Sequence, residues 1–260
     1  MSTAPHRHLG ARDNPLLVRL RKLAHDPGGY RRHGGVWLEG EHLCAACSER
    51  GPPVRQAVLS ESGWARAELQ ALARVAETIA VVPDAQFAKL SALESPASIG
   101  FLIDPGALFT EAIEPGVPTV VLDRLQDAGN VGSILRSAAA FGVRQVVALK
   151  GTAALASPKV LRAGMGAHFS LRLVEGVEPA ALDAIGLPLV ATSSHAPRSL
   201  LDGALPKPCA WVFGHEGQGV AAAIAARCSE LRRIPQPGGE ESLNVAAAAA
   251  VCLYESMREA

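Results

Sequence analysis

Short apolar runs rich in β-branched residues alternate along the chain with Ala- and Leu-rich stretches whose apolar positions recur every three to four residues. Two interleaved periods of this kind predict an α/β fold. In the first hundred residues the runs at 35–39, 54–60, 78–82 and 99–103 read as strands. Helices are predicted at 14–23, 41–50 and 64–73, with a short helical piece near 84–90. Asn14 stands as N-cap with Pro15 at the first helical position, and Gly51-Pro52-Pro53 stops the second helix. Beyond residue 118 the runs at 119–123, 145–149, 188–192, 210–214 and 230–234 are short, apolar and non-alternating, as in parallel strands covered on both faces. Helices are predicted between them at 131–141, 158–165, 179–184 and 220–227. A last, Ala-rich helix runs from 243 to about 257, with Ser242 as its cap. Residues 105–118 carry little periodicity and read as a linker. It joins a smaller α/β domain over 13–104 to a parallel-sheet domain over 119–260, and residues 1–12 form an N-terminal arm.

Composition narrows the class. Apolar residues make up 48% of the 260 and charged ones 19%, which excludes a disordered or coiled-coil protein. The 25 basic residues balance 25 acidic ones, so the total charge argues for neither nucleic acid nor membrane. The longest apolar run, 245–253, is too short to span a bilayer, and the first residues lack the apolar segment of a secretory signal. Five cysteines, an odd number, fit a reduced cytoplasmic protein. The neutral total hides an asymmetry. Residues 1–35 hold seven Lys or Arg against Asp13 and Asp26, a net of +5, so the rest of the chain carries −5. Such an arm pairs well with phosphate oxygens, although a solvated tail accounts for the same composition.

Three segments carry residues that a fold alone does not need. Leu125-Gln-Asp-Ala-Gly-Asn130-Val-Gly-Ser-Ile-Leu-Arg136 follows a strand directly. Val131, Ile134, Leu135 and Ala138 share one helical face, and Arg136 falls nearly opposite it. Strand ends that run into glycine-rich turns and helix N-termini are where open α/β sheets bind ligands. Trp211-Val-Phe-Gly214-His-Glu216-Gly217-Gln-Gly219-Val repeats that context, with glycines in neither the dinucleotide order nor the ATP-loop order. Ile234-Pro-Gln236-Pro-Gly-Gly-Glu-Glu-Ser242-Leu243-Asn244-Val is a rigid loop that delivers Ser242 and Asn244 to a helix start. An ordinary cap explains Ser242; an Asn244 amide buried beside an Ala-rich helix needs partners.

In this order the three segments resemble the three motifs of the SpoU/TrmH family of RNA ribose 2′-O-methyltransferases, in the SPOUT superfamily. The matching residues are Asn130 to Gly142 with Arg136, then Phe213-Gly-His-Glu216-Gly-Gln-Gly219, then Ile234-Pro, Gly238 and Glu241-Ser242-Leu243-Asn244-Val245. Residues 157–167 are similar to the family's stretch between the first two motifs. The resemblance covers about 118–258, and the N-terminal half resembles the ribosomal-protein-like substrate-binding domain of many members. It implies a SPOUT domain with a parallel sheet and a deep trefoil knot, a homodimer through that domain, RNA (ribosomal before transfer) as substrate, and S-adenosylmethionine (AdoMet) as cofactor. The catalytic residues it implies are Asn130, Arg136, Glu216, Ser242 and Asn244. The cofactor residues are Thr192, Ser193, Gly214, Glu216, Gly217, Ile234, Gln236, Ser242, Leu243 and Asn244. AdoMet brings an activated methyl on a sulfonium, so the chemistry calls for no metal. The chain departs from the family in having Gln236 where Met is frequent, Ala128 where the first motif has Pro, and Gly164 where Ser is common.

Two other readings remain open on the residues. One is a SPOUT-fold module that holds RNA without catalysis; the other is a methyltransferase acting on a base nitrogen. Cys44-Ala-Ala-Cys47 has redox or zinc spacing, but with no second pair nearby it reads as structural. His215 reads as a solvated neighbour of Glu216.

Overall fold

The structure, a computed structural model, describes residues 6–11, 13–91, 95–238 and 243–258. The chain divides into two compact units, residues 1–108 with 156–169 and residues 109–155 with 170–260.

The first unit is a five-stranded sheet with helices α1 (Pro15–His25), α2 (Glu41–Arg50) and α3 (Ala67–Ala73). Its strands are β1 (His6–His8), β2 (Val36–Glu39), β3 (Val54–Ser60), β4 (Ala76–Val82) and β5 (Ile99–Ile103). They lie in the order β1-β4-β3-β5-β2, the first three mutually parallel and β5 antiparallel to both neighbours. Asn14 caps α1, its side chain accepting from the Leu16 N–H at 3.0 Å. Leu17, Leu20 and Leu23 then fall on one face of α1 and pack with Trp37, Val58, Ala80 and Phe87.

Three local differences from the sequence reading have physical causes. The helix predicted at 64–73 is interrupted: one turn ends at Trp64 and α3 begins at Ala67. The Ser60 hydroxyl starts that first turn by accepting from the Gly63 N–H, and Arg66 in an extended conformation separates the two. The N-terminal arm contributes β1, which pairs with β4 through His6–Ile79, Arg7–Ala80 and His8–Val81; three polar residues carry no apolar period to reveal it. Residues 156–169 belong to the first unit, where the short helix Pro158–Gly164 packs on β2 and α1. Cys44 and Cys47 are buried on α2, and burial pushes the Cys47 thiol up to about 12 and that of Cys44 well above the ordinary value. Both behave as small core hydrophobes.

The second unit is a six-stranded, wholly parallel sheet. Its strands are β6 (Thr119–Asp123), β7 (Gln145–Leu149), β8 (Arg172–Val177), β9 (Leu189–Thr192), β10 (Ala210–Gly214) and β11 (Glu230–Arg232), in the order β11-β9-β10-β6-β7-β8. Helix α4 (Ala128–Ala140) follows β6, and α5 (Val245–Met257) packs against α4. The core gathers Val121, Val147, Val174, Ala191 and Val212 from five strands. β8 is absent from the sequence reading because it is an edge strand holding Glu175 and Gly176, which break the apolar run.

β7 and β8 lie on one side of β6 and the later strands on the other. The direction in which strands are added to the sheet therefore reverses between β6 and β10, whose last residues, Asp123 and Gly214, are paired. Such a reversal opens a crevice at the carboxyl ends of the strands. On the far side of the sheet β11 is gripped twice. It pairs with β9, and the Leu200 N–H donates to the Arg233 carbonyl at 2.7 Å. The Arg232 side chain is wholly buried, donating to the carbonyls of Ser199, Asp202 and Ala204 and to the Glu230 carboxylate. A buried charge needs such saturation. No described helix is long and apolar enough to cross a membrane.

Candidate active site

Four loops meet at the carboxyl ends of β6, β10, β9 and β11. The β6 loop turns into α4 at Asp127, whose side chain caps the helix by accepting from the Asn130 N–H at 2.7 Å. The β10 loop carries Glu216, whose carboxylate accepts from the N–H groups of Gln126 (3.2 Å) and Asp127 (3.1 Å) and from Asn130 Nδ2 (3.2 Å). Asn130 Oδ1 in turn accepts from Asn244 Nδ2 at 2.9 Å, and Asn244 Oδ1 caps α5 by accepting from Ala246 and Ala247. One hydrogen-bonded chain thus links a residue of each motif. It also fixes every amide: Glu216 only accepts, so Asn130 turns its NH₂ toward Glu216 and its carbonyl toward Asn244.

The cap of α5 is a correction. It is Asn244, not Ser242, and the helix begins at Val245. The partners that a buried Asn244 was expected to need are present, but Asn244 itself is exposed. Ser242 lies outside the described residues. Arg136 is exposed on α4, six residues beyond Asn130, and its guanidinium bonds to no described residue. The structure thus brings Asn130, Glu216 and Asn244 together and leaves Arg136 about 9 Å further along the helix axis.

Beside this chain lies a cavity of about 420 Å³. Its walls include Thr192, Ser193, Ser194 and His195 after β9, residues 216–220 after β10, and Leu231, Ile234, Gln236, Leu243 and Ala248. Of the expected cofactor residues, Thr192, Ser193, Glu216, Gly217, Ile234, Gln236 and Leu243 line it, whereas Gly214 and Asn244 do not. Gly214 lies beneath the loop, where a Cβ would stand 2.2 Å from the Gly219 carbonyl carbon and the Val220 nitrogen. Burial would raise the Glu216 pKa, but hydrogen bonds from backbone N–H groups and from Asn130 outweigh it and hold the carboxyl below its ordinary 4.5. The carboxylate's support for the site is therefore complete above that value and lost as pH falls through the lowered one. Affinity for the cofactor that the resemblance implies is expected to stay flat from neutral to mildly acidic pH and fall only at stronger acidity; calorimetric titration across pH measures this.

Three further residues shape this loop; the sequence reading takes His215 as solvated and passes over Asp123 and Arg124. His215 is half-buried, and its Nδ1 accepts from the Gly217 and Gln218 N–H groups at 3.0 and 3.3 Å. Asp123 accepts from the Ala221 N–H at 2.7 Å, and Arg124 reaches Gln218. An Asp-Arg pair at a strand end offers no pattern that separates it from any two charged residues facing water.

A family model for the SpoU rRNA Methylase family matches residues 118–254, more than half of the chain. The protein belongs to the SpoU family. Among its relatives is an uncharacterized tRNA/rRNA methyltransferase of Synechocystis sp., 31% identical over 95% of this chain and 92% of the relative. A 23S rRNA (uridine(2479)-2′-O)-methyltransferase of Streptomyces viridochromogenes is 31% identical over 88% of this chain and 84% of its own length. The crystal structure of the SpoU methyltransferase AviRb from Streptomyces viridochromogenes, in complex with the cofactor AdoMet, superposes with a TM-score of 0.84 at 25% identity, covering 94% of this chain and 97% of that one. The SpoU chain has the SPOUT methyltransferase fold. The cavity suits the family's cofactor. Its volume falls in the usual range for small ligands, about 300–1,000 Å³, and apolar Leu231, Ile234 and Ala248 face hydroxyls and glycine backbone. Among the described residues the Gln236 Oε1 atom, buried there, has no hydrogen-bond partner, and a ligand amino group would satisfy such an acceptor.

Asn244 offers a separation of two roles. Asn244→Asp keeps an acceptor for the Ala246 and Ala247 N–H groups but loses the donor to Asn130. Asn244→Ala loses both, at about 1 kcal/mol for the cap. The Asp variant is expected to melt within about 2 °C of wild type yet turn over at least about tenfold more slowly; wild-type turnover would detach Asn244 from the site.

Proposed function

We propose that the protein transfers the methyl group of AdoMet to a ribose 2′-hydroxyl of RNA, ribosomal RNA before transfer RNA. The observation that carries this reading is the Glu216–Asn130–Asn244 chain closed beside the 420 Å³ cavity. It joins the three motifs into one site, and the name of the Streptomyces 23S rRNA methyltransferase supplies the substrate class.

When bound, AdoMet supplies a methyl activated by a positively charged sulfonium. The protein's own residues do the rest. Thr192, Ser193, Gly217, Ile234, Gln236 and Leu243 hold the cofactor, with Ser242 and Gly214 completing the assignment. Glu216, ionised and fully engaged as an acceptor, organises the loops instead of moving a proton. A ribose hydroxyl is a poor nucleophile that must be oriented and relieved of its proton. Arg136, exposed and unpaired among the described residues, clamps an RNA phosphate and stabilises the developing alkoxide, and a phosphate oxygen or water takes the proton.

Two further parts belong to the same reading. The enclosure of Arg232 by residues 199–204 supports a chain threaded through the 193–209 loop, the knot that the resemblance implies. A second copy of the chain covers α5, where Val251, Tyr254 and Met257 stand exposed at three-residue spacing. RNA docks on the first unit and its basic N-terminal stretch. Five free cysteines suit a reducing cytoplasm.

The test is methyl transfer from labelled AdoMet to ribosomal RNA, followed by digestion to nucleosides. Label in a 2′-O-methylnucleoside is the expected result. Label on a base indicates nitrogen chemistry, and AdoMet binding with no label in any RNA indicates a module without catalysis.

A further inference from the structure

One backbone outlier beside the cavity calls for a function. Arg124 has φ 59°, a left-handed conformation that a residue with a long side chain rarely adopts. The surroundings hold it there. The Thr152 hydroxyl accepts from the Arg124 N–H at 3.1 Å and donates to the Leu122 carbonyl at 3.0 Å. Strain of this kind gathers at functional sites, where the surrounding structure over-determines it.

The turn aims the guanidinium at the outer side of the β10 loop. Nε and Nη2 grip the two oxygens of Asp123 at 2.9 and 3.2 Å, and the Asp123 side chain is 2% exposed. Nη1 donates to Gln218 Oε1 at 3.1 Å and Nη2 to the Gly219 carbonyl at 3.4 Å. Asp123 also accepts from the Ala221 N–H at 2.7 Å. Gln218 and Gly219 are themselves cavity wall. The loop has three glycines in six residues (Gly214, Gly217, Gly219) and is exposed from Glu216 to Gly219. His215 closes the turn on itself, its Nδ1 accepting from the Gly217 and Gln218 N–H groups and its carbonyl from the Gly219 N–H at 2.7 Å, but these bonds do not tie the turn to the sheet. Glu216 fastens its beginning to the backbone at 126–127, and Asp123 fastens its end. Among the described residues outside 214–221, Arg124 alone hydrogen-bonds to its middle, at Gln218 and Gly219.

We propose that Arg124 is a positioning residue of the AdoMet site: it latches the middle of the 216–221 loop to Asp123 and holds that cavity wall in its binding form before AdoMet arrives. The proposal rests on the reading of the cavity as the AdoMet site. A latch acts through the fraction of molecules whose loop is already in place, because affinity falls in proportion to that fraction. The Arg124 guanidinium bonds to neither Arg136 nor the Glu216–Asn130–Asn244 chain, so its loss raises KM for AdoMet and largely spares kcat.

The test is calorimetric titration with AdoMet, without RNA, of full-length wild type, Arg124→Lys and Arg124→Gly. Lysine keeps a cation on Asp123 but cannot also reach Gln218 and Gly219. Glycine relieves the backbone and removes the latch altogether. The expected result is Kd raised about tenfold in both variants, with the melting temperature of Arg124→Lys close to wild type and KM for AdoMet rising with Kd. Wild-type affinity in a folded Arg124→Lys protein overturns the latch, as does a loss no larger than its unfolded fraction. Absence of AdoMet binding by wild type overturns the reading of the cavity, and the latch with it.

Discussion

A Gly214→Ala variant is expected to lose AdoMet binding by about a hundredfold or more. The added Cβ would stand 2.2 Å from the Gly219 carbonyl carbon and the Val220 nitrogen, and 2.4 Å from the Gly219 oxygen. These are backbone atoms that no rotamer change can move aside. Gly214 cannot yield either, because it is the last residue of a central strand, paired with Asp123 on one side of the crevice. The loop must therefore lift, and lifting it pulls the Ala221 N–H from Asp123 and the Gly219 carbonyl from Arg124. Overpacking in a rigid setting costs about 1–3 kcal/mol, which corresponds to a melting temperature lowered by roughly 2–12 °C. Affinity suffers more than stability, since residues 216–220 are one wall of the cavity. Calorimetry with AdoMet alongside a thermal melt measures both. Binding within about threefold of wild type would show that the loop accommodates the methyl group without leaving its place.

The strands that build this crevice were legible in the sequence. Parallel strands buried on both faces are apolar through their centres, so 119–123, 145–149 and 210–214 stand out and agree with β6, β7 and β10 to the residue. Legibility failed where burial is one-sided or the stabilising partner is remote. β1 is three polar residues held by an edge, and β8 carries Glu175 and Gly176. The helix predicted over 220–227 shrinks to Ala222–Ala225, and that over 179–184 becomes a 3₁₀ helix, because alanine-rich stretches satisfy several helical geometries until packing selects one.

At the site, the motif glycines and amides were visible as residues that a fold does not need, but their wiring was not. Asn244 stands out in the sequence as an amide in want of partners, and the partner of its NH₂ lies 114 residues away at Asn130. Its second role, as the cap of α5, was credited to Ser242 because the apolar run extends to Leu243 and a hydroxyl precedes it. The choice between two cap formers separated by one residue depends on where the incoming loop releases the chain. Arg124 was invisible for a different reason. Its identity matters only through a left-handed φ angle and a carboxylate buried next to it, neither of which has a sequence pattern. The same holds for Arg232, which reads as one of many arginines yet is wholly enclosed.

Arg136→Lys is expected to reduce turnover by about 10²–10³ while leaving AdoMet affinity within about twofold of wild type. The side chain stands outside the cavity wall and outside the Glu216–Asn130–Asn244 chain, so exchanging it leaves the cofactor site untouched. Among the described residues it has no carboxylate partner, unlike Arg124, Arg172 or Arg227, each of which is held by an acid. A cation left unpaired on an exposed helical face is available to an incoming anion, and the phosphate groups flanking a ribose are such anions. Lysine preserves the charge but offers a single compact ammonium in place of a planar fork that engages two oxygens at once. Loss of kcat with unchanged AdoMet binding therefore separates the geometry of the clamp from its charge. Turnover within about threefold of wild type would leave charge alone as the requirement, and the two-oxygen contact to the RNA would have to be given up.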